Sequence, residues 1–224
     1  MLQLKSKKIY YYIFLFLIVG SLNNKNLDYK TFFKVSNVEI VGLSEKENLE
    51  IFSKLMNYEF PNLLLLNEST FETFFDTFNN VEKYSVFKKY PSSIYVELTK
   101  TNFIAYLNKQ GKYFYIGSNK KLIETTNTQK KIPFVFGNLD IKEFFELRKI
   151  IDKSNFNYNT IQNLFFFPSG RWDLETQSGI LIKLPKDNLK EKLNFSLNIL
   201  KKENFKNIKI IDLRQNNQVI INEG

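Results

Sequence analysis

Apolar and polar positions follow several rhythms along this chain, and the changes of rhythm divide it. Ile9–Leu22 (IYYYIFLFLIVGSL) is fourteen residues without a charge, with Lys5, Lys7 and Lys8 before it and Asn23, Asn24 and Lys25 after it. Residues 25–32 are polar and read as a linker. From Val35 to Gly42 apolar and polar positions alternate as in a strand that ends at a glycine turn. Ser44 with Glu47 three residues on is a capping-box signature, and Leu49, Phe52, Leu55 and Met56 then recur at helical spacing. Phe60-Pro61-Asn62 breaks that helix. Asn67 can cap a second one, with Phe71, Phe74, Phe75 and Phe78 as its apolar positions and Asn79-Asn80 at its end. Val81–Tyr90 and Ser92–Lys100 read as strands around Pro91, the second with Ile94, Val96 and Leu98 on one face. This β-α-α-β-β order is compact, and it excludes a doubly wound sheet, in which helices and strands alternate regularly.

Strands dominate after Thr101. Phe103–Leu107 and Lys112–Ile116 flank a hairpin turn at Asn108-Lys109-Gln110-Gly111. Lys121–Glu124 and Ile132–Phe136 are further short strands. Asp140 caps a helix with Phe144, Leu147 and Ile151 on one side. Leu164–Phe167, Arg171–Thr176 and Ile180–Leu184 form a meander. Asp187 opens an amphipathic helix with Leu189, Leu193, Leu197 and Leu200 inward, and strands Asn207–Arg214 and Gln218–Ile221 close the chain around an Asn216-Asn217 turn. The fold class expected is α+β.

Composition changes this picture in three ways. The chain has 224 residues, 43% of them hydrophobic, which is enough for a buried core. It has no Cys and no His, so disulfides, thiol chemistry, Cys/His metal sites and His-based acid–base catalysis are all excluded. The net charge of +9 falls to +6 once Lys5, Lys7 and Lys8 are set aside, and that remainder is spread evenly, as on a lysine-rich solvated surface. No basic cluster forms a nucleic-acid motif, and no nucleic acid is expected as a partner.

The first apolar run covers about 21 Å as a helix, against a hydrocarbon core of about 30 Å. Snorkelling lysines and the interfacial tyrosines at 10–12 favour a membrane anchor, whereas the shortness and the Val19-Gly20-Ser21 segment suit a cleaved signal peptide. Either way the rest of the chain is exported.

Catalytic signatures are missing: there is no phosphate-cradling glycine loop, no G-x-S-x-G elbow and no H-E-x-x-H. Glu45/Glu47 and Asp173/Glu175 are carboxylate pairs, but the first suits a helix N-terminus and the second alternates on one strand face, where lysines can meet it across the sheet. No catalytic, cofactor-binding or metal-binding residue is assigned. The arginines are more telling. Only three of the 32 basic residues are Arg, namely Arg148, Arg171 and Arg214. Arg supplies a planar two-pronged fork that Lys cannot copy, so Arg171 and Arg214 are expected to make specific paired contacts, with Asp173, Asp212 or a partner's carboxylate. Trp172, the single Trp, reads as packing, and Phe165-Phe166-Phe167 as either a strand buried on both sides or a partial contact surface.

Phe33-Lys-Val-Ser-Asn-Val-Glu-Ile-Val-Gly42 resembles the opening strand of a POTRA domain, and Lys88-Lys-Tyr-Pro91-Ser-Ser-Ile-Tyr-Val-Glu97 its closing hairpin. Gly170-Arg171-Trp172-Asp173-Leu174, Gly179–Leu184 and Ile211-Asp212-Leu213-Arg214 resemble, in order and spacing, the pattern of the FtsQ/DivIB cell-division family. The resemblance covers residues 5–222. It implies a cytoplasmic tail at 1–8, an uncleaved transmembrane anchor at 9–24, a linker at 25–32, a POTRA domain at 33–101 and, at 102–222, a larger mostly antiparallel β domain with two flanking helices.

The resemblance also implies a non-enzymatic scaffold of the bacterial inner membrane, concentrated at the division septum, with its folded parts in the periplasm and no cofactor. Its partners would be FtsB and FtsL, held at the C-terminal strands, with the POTRA part docking earlier division proteins such as FtsK. A terminal strand with an unpaired edge can accept an incoming strand. The residues expected to carry this contact are Arg171, Arg214, Gln215, Asn217, Val219 and Ile221. Gln215 stands where the family often has an aromatic, which shifts the weight toward backbone pairing. The alternative is a POTRA-containing envelope-biogenesis or secretion factor.

Overall fold

The computed structural model describes residues 4–22, 33–58, 60, 62–126, 131–201, 208–215 and 218–223. The chain divides into two compact units, Met1–Thr77 with Lys83–Thr99 and Phe78–Glu82 with Lys100–Gly224.

The first unit begins with helix α1, Leu4–Leu22. Residues expected as tail (from Leu4) and as anchor (up to Leu22) thus share one helix, which takes in Lys5, Lys7 and Lys8; residues 1–3, 23 and 24 lie outside the described residues. Its uncharged part spans only about 21 Å, and among the described residues no helix is long and apolar enough to cross a membrane. Side chains from Ile9 to Val19 are exposed on every side of it. The expected linker at 25–32 lies outside the described residues.

Strand β1 (Asn37–Val41), helices α2 (Glu45–Met56) and α3 (Glu68–Phe75) and strands β2 (Val81–Lys89) and β3 (Ser93–Lys100) follow in β-α-α-β-β order. The strands form a sheet in the order β1-β3-β2. β1 runs parallel to β3, with Val38 opposite Ile94 and Ile40 opposite Val96. Gly42 ends β1 at φ 110, where a Cβ would stand 1.8 Å from the Leu98 carbonyl oxygen, so only glycine lets the backbone approach this closely. The capping box of α2 is formed: the Ser44 N–H donates to Glu47 Oε2 at 3.1 Å, and the Glu47 N–H to Ser44 Oγ at 3.4 Å. The buried stripe of α2 differs from the expected one. Ile51 and Leu55 are buried, while Leu49, Phe52 and Met56 are exposed. Two apolar stripes overlap on this helix, and the four-residue step from Ile51 to Leu55 faces the core. In α3, Phe71 and Phe75 are buried and Phe74 is half-buried, with Phe75 stacked on Tyr84 at 4.7 Å.

The second unit holds nine strands: β4 (Phe103–Lys109), β5 (Lys112–Gly117), β6 (Leu122–Thr125), β7 (Phe134–Phe136), β8 (Ile161–Phe166), β9 (Trp172–Thr176), β10 (Leu181–Lys183), β11 (Ile208–Asp212) and β12 (Ile220–Glu223). They make one sheet in the order β12-β11-β10-β9-β8-β7-β4-β5-β6. Five neighbouring pairs are antiparallel and three are parallel: β4–β7, β7–β8 and β10–β11. The sheet is therefore mixed, and the two expected flanking helices account for two of the parallel pairs. Helix α4 (Ile141–Asp152) connects β7 to β8, and α5 (Leu189–Leu200) connects β10 to β11. A parallel neighbour needs such a crossover, whereas an antiparallel one needs only a turn.

Both helices pack on one core. Across the sheet runs a register row of Val135, Leu164, Leu174, Ile182, Ile211 and Ile221. Phe144, Leu147 and Ile151 of α4 and Leu193 and Ile199 of α5 join it. Burying such a side chain stabilises by roughly 1.5–3 kcal/mol. The N-cap of α5 is Asn188, held at φ 57, rather than the expected Asp187. Asn tolerates this left-handed conformation better than most residues.

A candidate partner-binding edge

The β12 end of the sheet brings most of the expected site residues into one region. Among the described residues β12 is the outermost strand and pairs with β11 alone. Ile221 lies opposite Ile211 and Ile220 opposite Asp212. Period-two alternation then decides which side chains reach solvent. Val219 and Ile221 are partly buried against the core. Ile220 points the other way and is 53% exposed. Val219 and Ile221 are the two expected contact residues here, and Ile220, between them, is the one that reaches solvent. The alternation in Val219-Ile220-Ile221 was visible, but all three residues are apolar, so it did not say which face is covered. Gln215 is exposed, and Asn217 lies outside the described residues.

Arg171 and Arg214 arrive from two different connections. Arg171 ends the turn between β8 and β9, where the Phe167 N–H donates to the Arg171 carbonyl at 3.0 Å and Gly170 adopts φ 78. Its guanidinium lies 4.2 Å above the Phe167 ring, and Nε donates to Asp173 Oδ1 at 3.3 Å. Arg214 stands two residues beyond β11. Its Nε donates to both Asp212 oxygens, at 2.8 and 3.0 Å, and Nη2 also donates to Oδ2. Each arginine thus pairs with an aspartate two residues before or after it in the chain. The third, Arg148, behaves alike: it pairs with Asp152 one turn on and stacks 3.7 Å over the Tyr158 ring.

The register joins the two pairs. Lys183 on β10 is opposite Asp173 on β9 and opposite Asp212 on β11. The row Asp173–Lys183–Asp212–Ile220 therefore alternates in charge and ends on the exposed isoleucine of the edge strand. The two carboxylates differ in environment. Burial pushes the Asp173 carboxyl above the usual range, opposed by Arg171 and more weakly by Arg214 and Lys183. Asp212 is held below that range, chiefly by the hydrogen bonds from Arg214, against a smaller effect of burial. Glu175, by contrast, accepts from Asn163 Nδ2 at 2.7 Å and faces no lysine in register. Asp173 and Glu175 thus belong to separate contacts, the first an ion pair and the second a hydrogen bond accepted from a side-chain amide. Among the described residues no group of three or more Asp and Glu side chains could hold a metal ion.

The Phe165-Phe166-Phe167 run divides three ways. Phe165 stacks on Phe136 at 4.8 Å, Phe166 packs on the core and on Trp172, and Phe167 carries Arg171. Trp172 is buried in the core.

The profile of the family described as "Cell division protein FtsQ/DivIB, C-terminal" matches residues 96–214, more than half of the chain. The chain belongs to the FtsQ/DivIB family. Arg171, Asp173, Lys183, Asp212 and Arg214 all lie within the FtsQ/DivIB match, which stops just before Gln215 and β12. FtsQ/DivIB proteins are non-enzymatic scaffolds of cell division that interact with other division proteins. No curated protein matches the chain. A solved structure, the major extracytoplasmic domain of the trans isomer of the bacterial cell division protein DivIB from Geobacillus stearothermophilus, is similar at 15% identity and a TM-score of 0.36, covering 48% of this chain and 98% of that one.

Proposed function

We propose that this chain is a single-pass divisome scaffold that holds FtsB and FtsL by accepting a strand at the outer side of β12. The observation that carries this reading is the position of β12: among the described residues it ends the sheet, with β11 as its one neighbour. An edge strand offers its unpaired N–H and C=O groups to an extended segment, and alternate side chains give selectivity. Arg214 follows β11, the neighbour of that edge strand, and Arg171 precedes β9, three strands in; their side chains are 40% and 25% exposed. Arg214 is the nearer of the two to an acidic residue on the incoming strand, and Arg171 meets a partner segment that continues over the end of β9. Gln215, Asn217, Val219 and Ile221 contribute mainly backbone, and Ile220 contributes an exposed apolar side chain.

Residues 33–101 are a POTRA domain on this reading, docking earlier division proteins such as FtsK. Helix α1 anchors the chain in the bacterial inner membrane. Its apolar side chains from Ile9 to Val19 are exposed all round, which suits lipid surroundings. Lys5, Lys7 and Lys8 hold the N-terminus in the cytoplasm and place residues 33–222 in the periplasm, concentrated at the septum. Spanning requires these lysines to snorkel.

The test is co-purification of the full-length protein with FtsB and FtsL, with and without residues 215–224. Loss of both partners with a preserved melting transition of the first unit is expected. Undiminished binding by the truncated protein overturns the strand-addition reading.

A further inference from the structure

On the β5 side of the second unit's sheet, the β4–β5 and β7–α4 connections lie at one end of β5 and the β5–β6 connection at the other. Between them lies a cleft of about 1070 Å³. Its floor is apolar. Leu107 and Ile116 are buried core residues, and Leu122 and Ile141 are partly buried against that core. Its rim is basic: Lys109, Lys120 and Lys121 line it, against the single acid Asp140 at the N-cap of α4. The amide side chains of Asn108, Gln110 and Asn138 stand among the lysines.

Two of these rim residues hold a backbone conformation that disfavours them. Gln110 has φ 55 and Lys120 has φ 64. Left-handed turn positions suit Gly or Asn, and a longer side chain there is disfavoured. This chain uses Asn freely elsewhere, at Asn188 for one such position. Long polar side chains nevertheless occupy both turns, and both border the same cleft. Strain of this kind collects at sites of function. The Lys120 Nζ lies 5.8 Å from the centre of the Phe145 ring, near the limit of a cation–π contact, so the ring holds it weakly.

We infer that this cleft docks an acidic peptide segment of a partner protein, one that carries an apolar residue between its carboxylates. The volume is far larger than a simple anion needs, and it falls at the upper end of ligand pockets. The floor accepts an apolar side chain, the amides match the donors and acceptors of a peptide backbone, and the lysines pair with flanking carboxylates. The site is distinct from the β12 edge: it is built on β4, β5 and β6, at the other end of the strand order. It goes beyond the function proposed above and does not depend on it.

The test uses the full-length protein in detergent micelles, labelled at its Ile and Leu methyl groups and observed by NMR. The probes are acetyl-Asp-Glu-Leu-Glu-Asp-amide, its neutral analogue acetyl-Asn-Gln-Leu-Gln-Asn-amide, and inorganic phosphate. The acidic peptide is expected to shift the methyls of Leu107, Ile116, Leu122 and Ile141 saturably. The neutral peptide, and the acidic peptide on the K109E/K120E variant, should bind about tenfold more weakly or worse, as for a contact steered by charge. Both lysines are exposed, so the variant keeps its fold, and its unshifted methyl spectrum without peptide checks this. The inference is overturned by no shift with the acidic peptide, by equal binding of the neutral one, or by undiminished binding to K109E/K120E. The same shifts with phosphate alone also overturn it, because they mark a small-anion site.

Discussion

The guanidinium of Arg214 is forked onto the carboxylate of Asp212, two residues back along the chain, with Nε 2.8 and 3.0 Å from its two oxygens. This fork depends on a planar group. Arg214→Lys keeps the charge and loses the geometry. The Arg214 side chain is 40% exposed, so the pair is screened by solvent, and its loss should cost at most about 0.5 kcal/mol of stability. Partner binding should fall further, by about tenfold, because a contact residue at an interface counts for more than an exposed ion pair. Thermal melts and a titration with FtsB separate the two effects. A large stability loss with unchanged affinity would make the pair purely internal.

Glycine substitutions should divide by what a methyl group would meet. A Cβ on Gly137 would lie 2.2 Å from the Phe166 carbonyl oxygen, at φ 107. Gly137→Ala therefore meets both a steric clash with backbone and a disfavoured φ, and should destabilise the second unit by about 3 kcal/mol or more. Gly179 also has positive φ, 80, but nothing lies within 4 Å of its Cβ position. Gly179→Ala should cost only about 1 kcal/mol, the conformational part alone. Urea unfolding followed through the buried Trp172, which sits in the same unit, measures both.

How far the sequence could reach follows from the physics of each element. Local signals worked where local forces decide. Ser44 and Glu47 form the cap that their spacing predicts, and the Gln110-Gly111 turn, with φ 55 and 82, closes the hairpin at the expected place. Strand order was not legible. β7 lies between β4 and β8, parallel to both, although β5 and β6 separate it from β4 in the chain. Alternation marks a strand but does not name its neighbour. The face of α2 was misjudged for a related reason: Leu49, Phe52 and Met56 are as apolar as Ile51 and Leu55, and only packing chooses between the stripes. At the candidate edge, the importance of Arg171 and Arg214 was legible from their rarity. Their union through Lys183 was not, because it depends on the parallel register of β10 and β11.

Ile220 and Ile221 are adjacent and should respond in opposite ways. Ile221 faces Ile211 in the core row, so Ile221→Ala should destabilise by about 1–3 kcal/mol, less than for a fully buried site. Ile220 is exposed, so Ile220→Lys should change stability by no more than about 0.5 kcal/mol. A lysine on an edge strand discourages strand addition. Ile220→Lys should therefore weaken FtsB binding about tenfold while leaving the melting temperature in place. Calorimetry of each variant, followed by titration with FtsB, checks the contrast.

Asp173 and Asp212 should give opposite pH dependences. Burial raises the native pKa of Asp173 above the ordinary value of 3.8, so the native state binds this proton more tightly than the unfolded chain does. The charged form then weakens the native state at neutral pH, and the penalty disappears as pH falls through the raised native value to 3.8. Asp212 is lowered by Arg214, so its charge stabilises the native state above 3.8, and that contribution is lost as pH falls toward the depressed native value. Asp173→Asn should accordingly raise the unfolding midpoint at pH 7, with the gain shrinking toward pH 4. Asp212→Asn should lower the midpoint at pH 7, with the loss persisting to pH 4 and shrinking only below it. Urea midpoints of the two variants and the parent protein, measured between pH 3 and pH 7, decide the matter. A stability loss for Asp173→Asn at pH 7 would mean that pairing with Arg171 outweighs the cost of burying the charge.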